Sequence, residues 1–146
     1  MTSRPPRTLP AALVAALATV ALAAGCAPST SSSSNSTSKF KGDARLAAQT
    51  VEDLQAAAND DDNAKICTQL LAPSLAGRMG QSGRTCEQAV KAAVKDADSV
   101  DMTVQQVSVN GDTATARVKL ETGKKDRIAT FTLQRDAGGR WQIKSL

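Results

Sequence analysis

The sequence predicts an α+β domain in which three helices come first and four antiparallel strands follow. Apolar residues recur every three or four positions through residues 43–94, which is the period of an α-helix. From Met102 to Ile143 they alternate with polar residues, as in strands that bury one face. Asn110-Gly111, between two alternating runs, indicates a tight hairpin turn. We therefore expect the helices to cover one face of a bent four-stranded antiparallel sheet.

Two helices are expected before Pro73. The first spans residues 43–59, and its buried stripe consists of Leu46, Ala47, Thr50, Val51, Leu54, Ala57 and Ala58. An acidic turn at residues 60–63 can cap the second helix, whose apolar side consists of Ile66, Cys67, Leu70 and Leu71. Pro73 disfavours helical geometry in the residue before it, so the second helix should end there.

The third helix is expected to begin after a glycine-rich loop. Residues 74–84 read SLAGRMGQSGR and predict a loop with one short turn near Leu75. Thr85 and Gln88 match the T-x-x-Q capping box, in which both side chains bind free N–H groups at a helix start. Glu87 in the first turn interacts favourably with the helix dipole.

Four strands are expected after Ser99. The alternation slips between Gln105 and Gln106, which predicts a β-bulge and a bent first strand. The buried positions of the next three strands are Ala114, Ala116, Val118, Leu120, Ala129, Phe131, Leu133, Trp141 and Ile143. TGKKD at residues 122–126 and DAGG at residues 136–139 predict the remaining turns.

The N-terminal residues have the composition of a targeting segment. Arg4 and Arg7 precede an apolar run at residues 11–24, which is shorter than the roughly 20 residues that span a bilayer. Residues 27–38 are nearly all Ser, Thr, Asn or Pro, so we expect a disordered tether. Without Arg4 and Arg7 the 18 basic residues fall to 16, against 14 acidic ones. That near balance does not predict nucleic-acid binding.

The segment LAAGC at residues 22–26 resembles the lipobox of bacterial lipoproteins, which is cut before a cysteine that becomes lipidated. The resemblance implies that residues 1–25 are a signal peptide and that Cys26 is the lipid anchor. Residues 26–39 would then be a tether of about 20 Å, and residues 40–146 a domain outside the cytosol on the cell membrane. The alternative is an ordinary secretory signal in which Cys26 has no special role.

Cys67 and Cys86 are then the remaining cysteines, and two cysteines outside the cytosol allow one disulfide. The bond would close a loop of 19 positions and stabilise the fold by about 3 kcal/mol on the chain-entropy account. The alternative is a redox pair, since a thiolate at Cys86 would be favoured by the helix start.

A second resemblance concerns the folded part. The segments LQAAANDDDNAKICTQLLAP, TCEQAV and GGRWQI resemble small lipoproteins of high-GC Gram-positive bacteria that carry a cystatin-like, nuclear transport factor 2-like domain. The resemblance covers residues 43–146 and implies a cone with a cavity at the open end of its sheet. We expect Leu54, Phe131 and Trp141 to line such a ligand cavity.

Few side chains of the sequence suit catalysis. The chain has no His and no Tyr, which excludes a Ser-His-Asp triad, a Cys-His pair and a His-liganded zinc site. Enzymes on the fold that the resemblance implies, such as ketosteroid isomerases and SnoaL-like cyclases, use a pocket Asp, His or Tyr. Carboxylates alone remain here, and Asp96, Asp98 and Asp101 lie in a helix-to-strand connection that favours simple solvation.

Two further patterns are candidate ion sites. An EF-hand loop needs a Glu eleven residues after its first ligand, and counting from Asp60 reaches Leu71. GRMGQSGRT at residues 77–85 precedes a helix start, where an anion can bind, but it departs from the phosphate-loop pattern, and a linking loop is favoured. We therefore predict no catalytic residue, no metal site and no cofactor.

The expected function is that of a non-catalytic binding or protein-interaction domain tethered to the membrane. Its partner would be an envelope protein or a small apolar ligand, and not nucleic acid. The alternative is a hydrolase or isomerase that acts through a carboxylate whose pKa is raised by burial in the pocket. The two hypotheses differ in one structural feature, because only the enzyme needs a carboxylate inside the cavity.

Overall fold

The computed structural model describes residues 36–95, 99–122 and 125–146. In these ranges helices precede four strands, so the predicted α+β class is confirmed. The helical elements are a 3₁₀ turn Ser36–Lys39, α1 Gly42–Asn59, α2 Asn63–Lys65, a π-helix Ile66–Leu70, α3 Pro73–Met79, a second 3₁₀ turn Gly80–Ser82 and α4 Cys86–Val94. The strands are β1 Asp101–Asn110, β2 Thr113–Thr122, β3 Lys125–Arg135 and β4 Trp141–Ser145.

The strands form one antiparallel sheet in the order β1-β2-β3-β4. The register of β1 against β2 shifts between Val104 and Gln106, so the predicted bulge is confirmed and Gln105 is its extra residue. After the bulge, Val107 continues the inner face that Val104 began. Gly111 has a φ of 59° in the β1–β2 turn, a conformation that glycine adopts without strain. Of the expected turn in TGKKD, residues 123–124 lie outside the described residues.

The hydrophobic core lies between α1 and the inner face of the sheet. Val51 of α1 is fully buried, as are Val104, Val118, Leu133 and Ile143 of the four strands. The buried stripe of α1 differs from the expected one by a single position, because Ala48 is buried while Leu46 is 49 % exposed. All residues of this core belong to the compact unit Ser31–Leu146, which therefore has its own core.

Two amides of α1 bind the backbone at the start of β1. The Nδ2 group of Asn59 donates to the carbonyl oxygen of Val100 at 3.0 Å, and its Oδ1 atom accepts from the Val100 N–H at 2.9 Å. The Oε1 atom of Gln55 accepts from the Met102 N–H at 2.7 Å. Val100 directly precedes the edge strand β1 and Met102 belongs to it, so α1 partly covers this edge of the sheet.

The loop predicted for residues 74–84 is wrong over its first half, because Pro73–Met79 forms α3. Pro73 occupies the first helical position, where its fixed φ suits the helix and its missing N–H is not needed. The side chain of Leu75 is buried in the core, and the Nη2 group of Arg78 donates to the Lys144 carbonyl at 3.0 Å. The described domain thus has a fourth helix in addition to the three expected.

The connection between the first and last helices is cross-linked. Cys67 in the π-helix and Cys86, the first residue of α4, form a disulfide. The predicted capping box at the start of α4 is confirmed, since Thr85 and Gln88 each bind the other's backbone N–H. The Ala72 N–H donates to the Ile143 carbonyl at 2.8 Å, so the segment after the π-helix pairs with the free edge of β4.

The described part of the domain includes four residues before the expected boundary at Phe40. Ser36–Lys39 forms its 3₁₀ turn against α1, and Thr37 is buried. The N–H and Oγ1 groups of Thr37 both donate to the carboxylate of Glu52, at 3.1 Å each. Residues 1–35, including the expected signal peptide and Cys26, lie outside the described residues. Within the described ranges, no helix combines the length and the apolar character needed to cross a bilayer.

Candidate ligand cavity

An apolar cavity of about 270 Å³ lies at the end of the sheet where β1 begins, β2 ends and β3 begins. Helices α1 and α4 and the segment between them form its other walls. The described lining residues are Leu54, Ala58, Ile66, Leu71, Met79, Val90, Ala93, Val94, Val100, Met102, Leu120, Arg127, Ala129, Phe131 and Leu146. All are apolar except Arg127.

The strand register explains why the sheet residues of the lining lie side by side. Met102 pairs with Leu120, and Leu120 pairs with Arg127, so these three residues form one row across β1, β2 and β3. Ala129 and Phe131 follow Arg127 at two-residue intervals on β3, and therefore point to the same face. The row and the two residues behind it form one continuous wall.

The cavity has a buried floor and an exposed rim. Leu54 on α1 is only 7 % exposed and Phe131 on β3 only 3 %, so the floor belongs to the hydrophobic core. At the rim, Ala93 of α4 and Arg127 of β3 are exposed, and Leu146 is 63 % exposed. An apolar molecule that enters would therefore leave water and contact a preformed apolar surface.

The structure brings together two of the three residues expected to line the cavity. Leu54 and Phe131 lie in its lining, whereas Trp141 does not. The reason is the position of Trp141 along the strand: it pairs with Arg135, at the end of β3 opposite to Arg127. The alternating pattern gave the correct face of the sheet for Trp141, but the cavity occupies the other end of that face.

Trp141 has a structural role at its own end of the sheet. The guanidinium carbon of Arg135 lies 4.7 Å from the centre of the indole ring, which is a cation–π distance. The Nη2 atom of Arg135 also lies 2.6 Å from a carboxylate oxygen of Asp43 in α1. The hydroxyl of Thr50 donates to the Trp141 carbonyl at 3.3 Å. Together these contacts join the start of α1 to the edge strand.

No Asp or Glu side chain lies in the described lining of the cavity. Asp101, one of the carboxylates considered for catalysis, is exposed at the start of β1, and Asp96 and Asp98 lie outside the described residues. Among the described residues, the buried polar or charged side chains are Thr37, Thr50 and Gln142. Within this part of the chain, therefore, no Asp or Glu is buried as a general acid or base would be.

The described groups with shifted pKa values lie away from the cavity. Hydrogen bonds from Lys119 to Glu121 and Asp126, on the outer face of the β2–β3 hairpin, raise the pKa of Lys119. In the turn before β4, the Arg140 N–H donates to the Oδ1 atom of Asp136 at 2.8 Å. That bond is the main reason why the pKa of Asp136 is lowered. Both residues stabilise strand ends.

The two patterns weighed as ion sites have structural uses. The carboxylate of Asp62 accepts from the Lys65 N–H at 3.0 Å and so caps α2. Part of GRMGQSGRT lies in α3, and Thr85 caps α4. In the described part of the chain, no group of three or more His, Cys, Asp or Glu side chains is placed to hold a metal ion.

Several solved structures with a nuclear transport factor 2-like fold are similar to this chain. A candidate dehydratase of that family from Streptomyces avermitilis shares 16 % identity, covers 69 % of this chain and 90 % of its own, and gives a TM-score of 0.49. TsrD from Streptomyces laurentii shares 15 % identity over 71 % of this chain and 90 % of its own, with a TM-score of 0.44. The de novo designed protein NT-9 of the same fold shares 16 % identity over 67 % and 82 %, with a TM-score of 0.45.

No family model matches the chain, and no curated protein matches it. The similarities to solved structures assign no substrate or activity.

Proposed function

We propose that this protein is an extracytoplasmic binding protein, held to the cell membrane by a lipid on Cys26, that takes up a small apolar molecule. The observation that carries this proposal is the cavity of about 270 Å³ with its buried apolar floor. Transfer of apolar surface from water into such a site is favourable by about 25 cal/mol per Å². The volume is near the lower end of known ligand sites, roughly 300–1,000 Å³, so the ligand should be small.

The described lining residues favour a ligand-binding function over catalysis. Their side chains include no carboxylate, hydroxyl or thiol, and the one polar side chain is that of Arg127. Cys67 and Cys86 are joined to each other and so offer no nucleophile. The alternative, a hydrolase or isomerase that acts through a carboxylate, needs an Asp or Glu side chain at the cavity wall, and the described wall supplies none.

The membrane tether is supported by the sequence on both sides of Cys26. The lipobox-like segment LAAGC ends at this residue, and a serine-rich stretch follows it. The first described element, the 3₁₀ turn Ser36–Lys39, starts ten positions after Cys26. A flexible chain of that length has an end-to-end distance of about 17 Å, which would keep the domain near the membrane surface.

A substitution at the rim tests the binding proposal. Ala93 and Ala92 are both exposed on α4, but only Ala93 lies in the cavity lining. In the soluble unit of residues 31–146 with its disulfide intact, we expect 1-decanol to bind with one-to-one stoichiometry in titration calorimetry. Ala93→Phe should weaken that binding at least tenfold by filling the entrance, while Ala92→Phe should leave it unchanged.

Two results would count against this function. Failure of 1-decanol and shorter alcohols to bind would contradict an accessible apolar site, as would equal effects of the two alanine substitutions. Hydrolysis of 4-nitrophenyl decanoate that is lost in Ala93→Phe would favour the enzyme alternative instead. Circular dichroism of both variants verifies that the fold is retained.

A further inference from the structure

We infer that the cavity selects apolar molecules that carry one anionic group, with Arg127 as the counter-ion at the entrance. This inference rests on the proposed binding function and adds the chemical class of the ligand. The class is a single-chain amphiphile whose head is a carboxylate or a phosphate monoester.

The strand register places the Arg127 side chain on the inner face of the sheet. Arg127 belongs to the inner series of β3, which continues through Ala129, Phe131 and Leu133, and it faces Leu120 in the strand register. The neighbouring charged residues Lys119 and Asp126 belong to the opposite, outer face of the same hairpin. Among the described lining residues, Arg127 is therefore the one charged side chain that the β2–β3 hairpin directs toward the cavity.

Arg127 has no counter-ion among the described residues. On the outer face, Lys119 pairs with Glu121 and lies 2.9 Å from a carboxylate oxygen of Asp126. Arg135, the other arginine of β3, pairs with Asp43. Arg127 forms no hydrogen bond or ion pair with the described part of the chain, so its donors are available to a ligand.

A guanidinium at this position is suited to bind an anion. A guanidinium presents paired N–H donors in a plane, which fit the two oxygens of a carboxylate or phosphate. Beside an apolar wall such a charge-assisted bond is stronger than in open water, because the local dielectric constant is lower. The hydrocarbon stem of Arg127 adds apolar surface to the rim. An anionic head at Arg127 would leave the apolar tail directed to Phe131 and Leu54.

The volume limits the tail of the ligand. At about 270 Å³ the cavity lies just under the usual range for small-molecule sites, so it suits one short chain and not a two-chain phospholipid. Within that limit, each methylene that enters the cavity should tighten binding by roughly fourfold.

The test compares four ten-carbon probes by titration calorimetry on residues 31–146: decanoate, decyl phosphate, 1-decanol and decylammonium. We expect decanoate or decyl phosphate to bind at least tenfold more tightly than 1-decanol, since a hydrogen bond to a charged group is worth roughly that factor. Decylammonium should bind most weakly. The preferred anion distinguishes a carboxylate source from a phosphate source.

Two arginine variants give the matched comparison. Arg127→Gln should weaken the binding of decanoate and decyl phosphate until it equals 1-decanol binding to the same variant, and Arg127→Lys should restore part of the preference. Arg117→Gln removes the same charge from the outer face of β2 and should change nothing. Equal binding of decanoate, decyl phosphate and 1-decanol overturns the inference but not the binding function, and so does a preference that survives in Arg127→Gln. No binding by any probe overturns both.

Discussion

Asn59 joins the end of α1 to the wall of the cavity through a single side chain. Its amide binds both the N–H and the carbonyl of Val100, at 2.9 and 3.0 Å. Val100 is buried and lies in the cavity lining. Because buried backbone groups need partners, this amide replaces the hydrogen bonds that a neighbouring strand would otherwise supply. Together with Gln55, which accepts from the Met102 N–H at 2.7 Å, Asn59 holds the end of α1 against the start of β1.

Asn59→Ala should lower the free energy of unfolding by about 1–3 kcal/mol, because it leaves the two buried backbone groups of Val100 unpaired. Urea unfolding followed by circular dichroism measures the change. Gln49→Ala is the control on the same helix, since the Gln49 side chain forms no hydrogen bond with the described residues; we expect a change within about 0.5 kcal/mol. Equal losses in the two variants would show that helix propensity, and not the paired amide, determines the effect.

The inward position of Arg127 was difficult to predict from the sequence pattern. It has the same parity along β3 as Ala129 and Phe131, which were expected to be buried, so the signal for an inward charge was present. A charged residue next to a turn is ordinarily read as solvated, and the alternation alone does not decide between these interpretations. Leu54 and Phe131 were predictable as cavity residues because their apolar character and their period agree.

At the scale of elements, local chemistry and tertiary contacts differ in how far they can be predicted. The bulge at Gln105 and the start of α4 follow from side chains within four residues of each other, and both were predicted. Helix α3 was missed because Gly77 lowers its helix propensity and Gly80 directly follows it. Its stability comes from the burial of Leu75 and from the bond of Arg78 to Lys144, which no local pattern contains.

The disulfide should stabilise the elements around the cavity. It closes a loop of 19 residues, so the double variant Cys67→Ala with Cys86→Ala should unfold with a free energy about 3 kcal/mol lower. Because α4 supplies Val90, Ala93 and Val94 to the lining, the variant should also bind 1-decanol more weakly. Urea unfolding and calorimetry measure the two effects.

The reducing agent provides the control for the disulfide prediction. Dithiothreitol should destabilise the natural unit of residues 31–146 to the level of the double variant and have no effect on the double variant itself. A thiol-blocking reagent should find no reactive thiol in the native unit before reduction. Two titratable thiols in protein purified in air would contradict the prediction.

At the scale of the whole molecule, the first described residues of the domain are held on α1. Thr37 donates one hydrogen bond to each oxygen of the Glu52 carboxylate. The chain is therefore held on α1 three residues before Phe40, its first apolar residue packed against the core. Residues 27–35 lie between Cys26 and the first described residue, Ser36. With the proposed lipid anchor at Cys26, the cavity would stay close to the membrane surface, because a flexible chain of ten positions spans about 17 Å.

Cys26→Ser is the decisive change for this arrangement, because a hydroxyl at that position cannot receive the lipid that the lipobox resemblance implies. In a bacterial host that processes lipoproteins, we expect the full chain to fractionate with membranes and the Cys26→Ser protein to appear in the medium or the soluble envelope fraction. The double variant Cys67→Ser with Cys86→Ser removes two other sulfurs, keeps Cys26 and should remain with membranes. If Cys26→Ser also stayed there, residues 11–24 would have to act as an uncleaved anchor, and the cavity would serve a protein held by its own N-terminal segment.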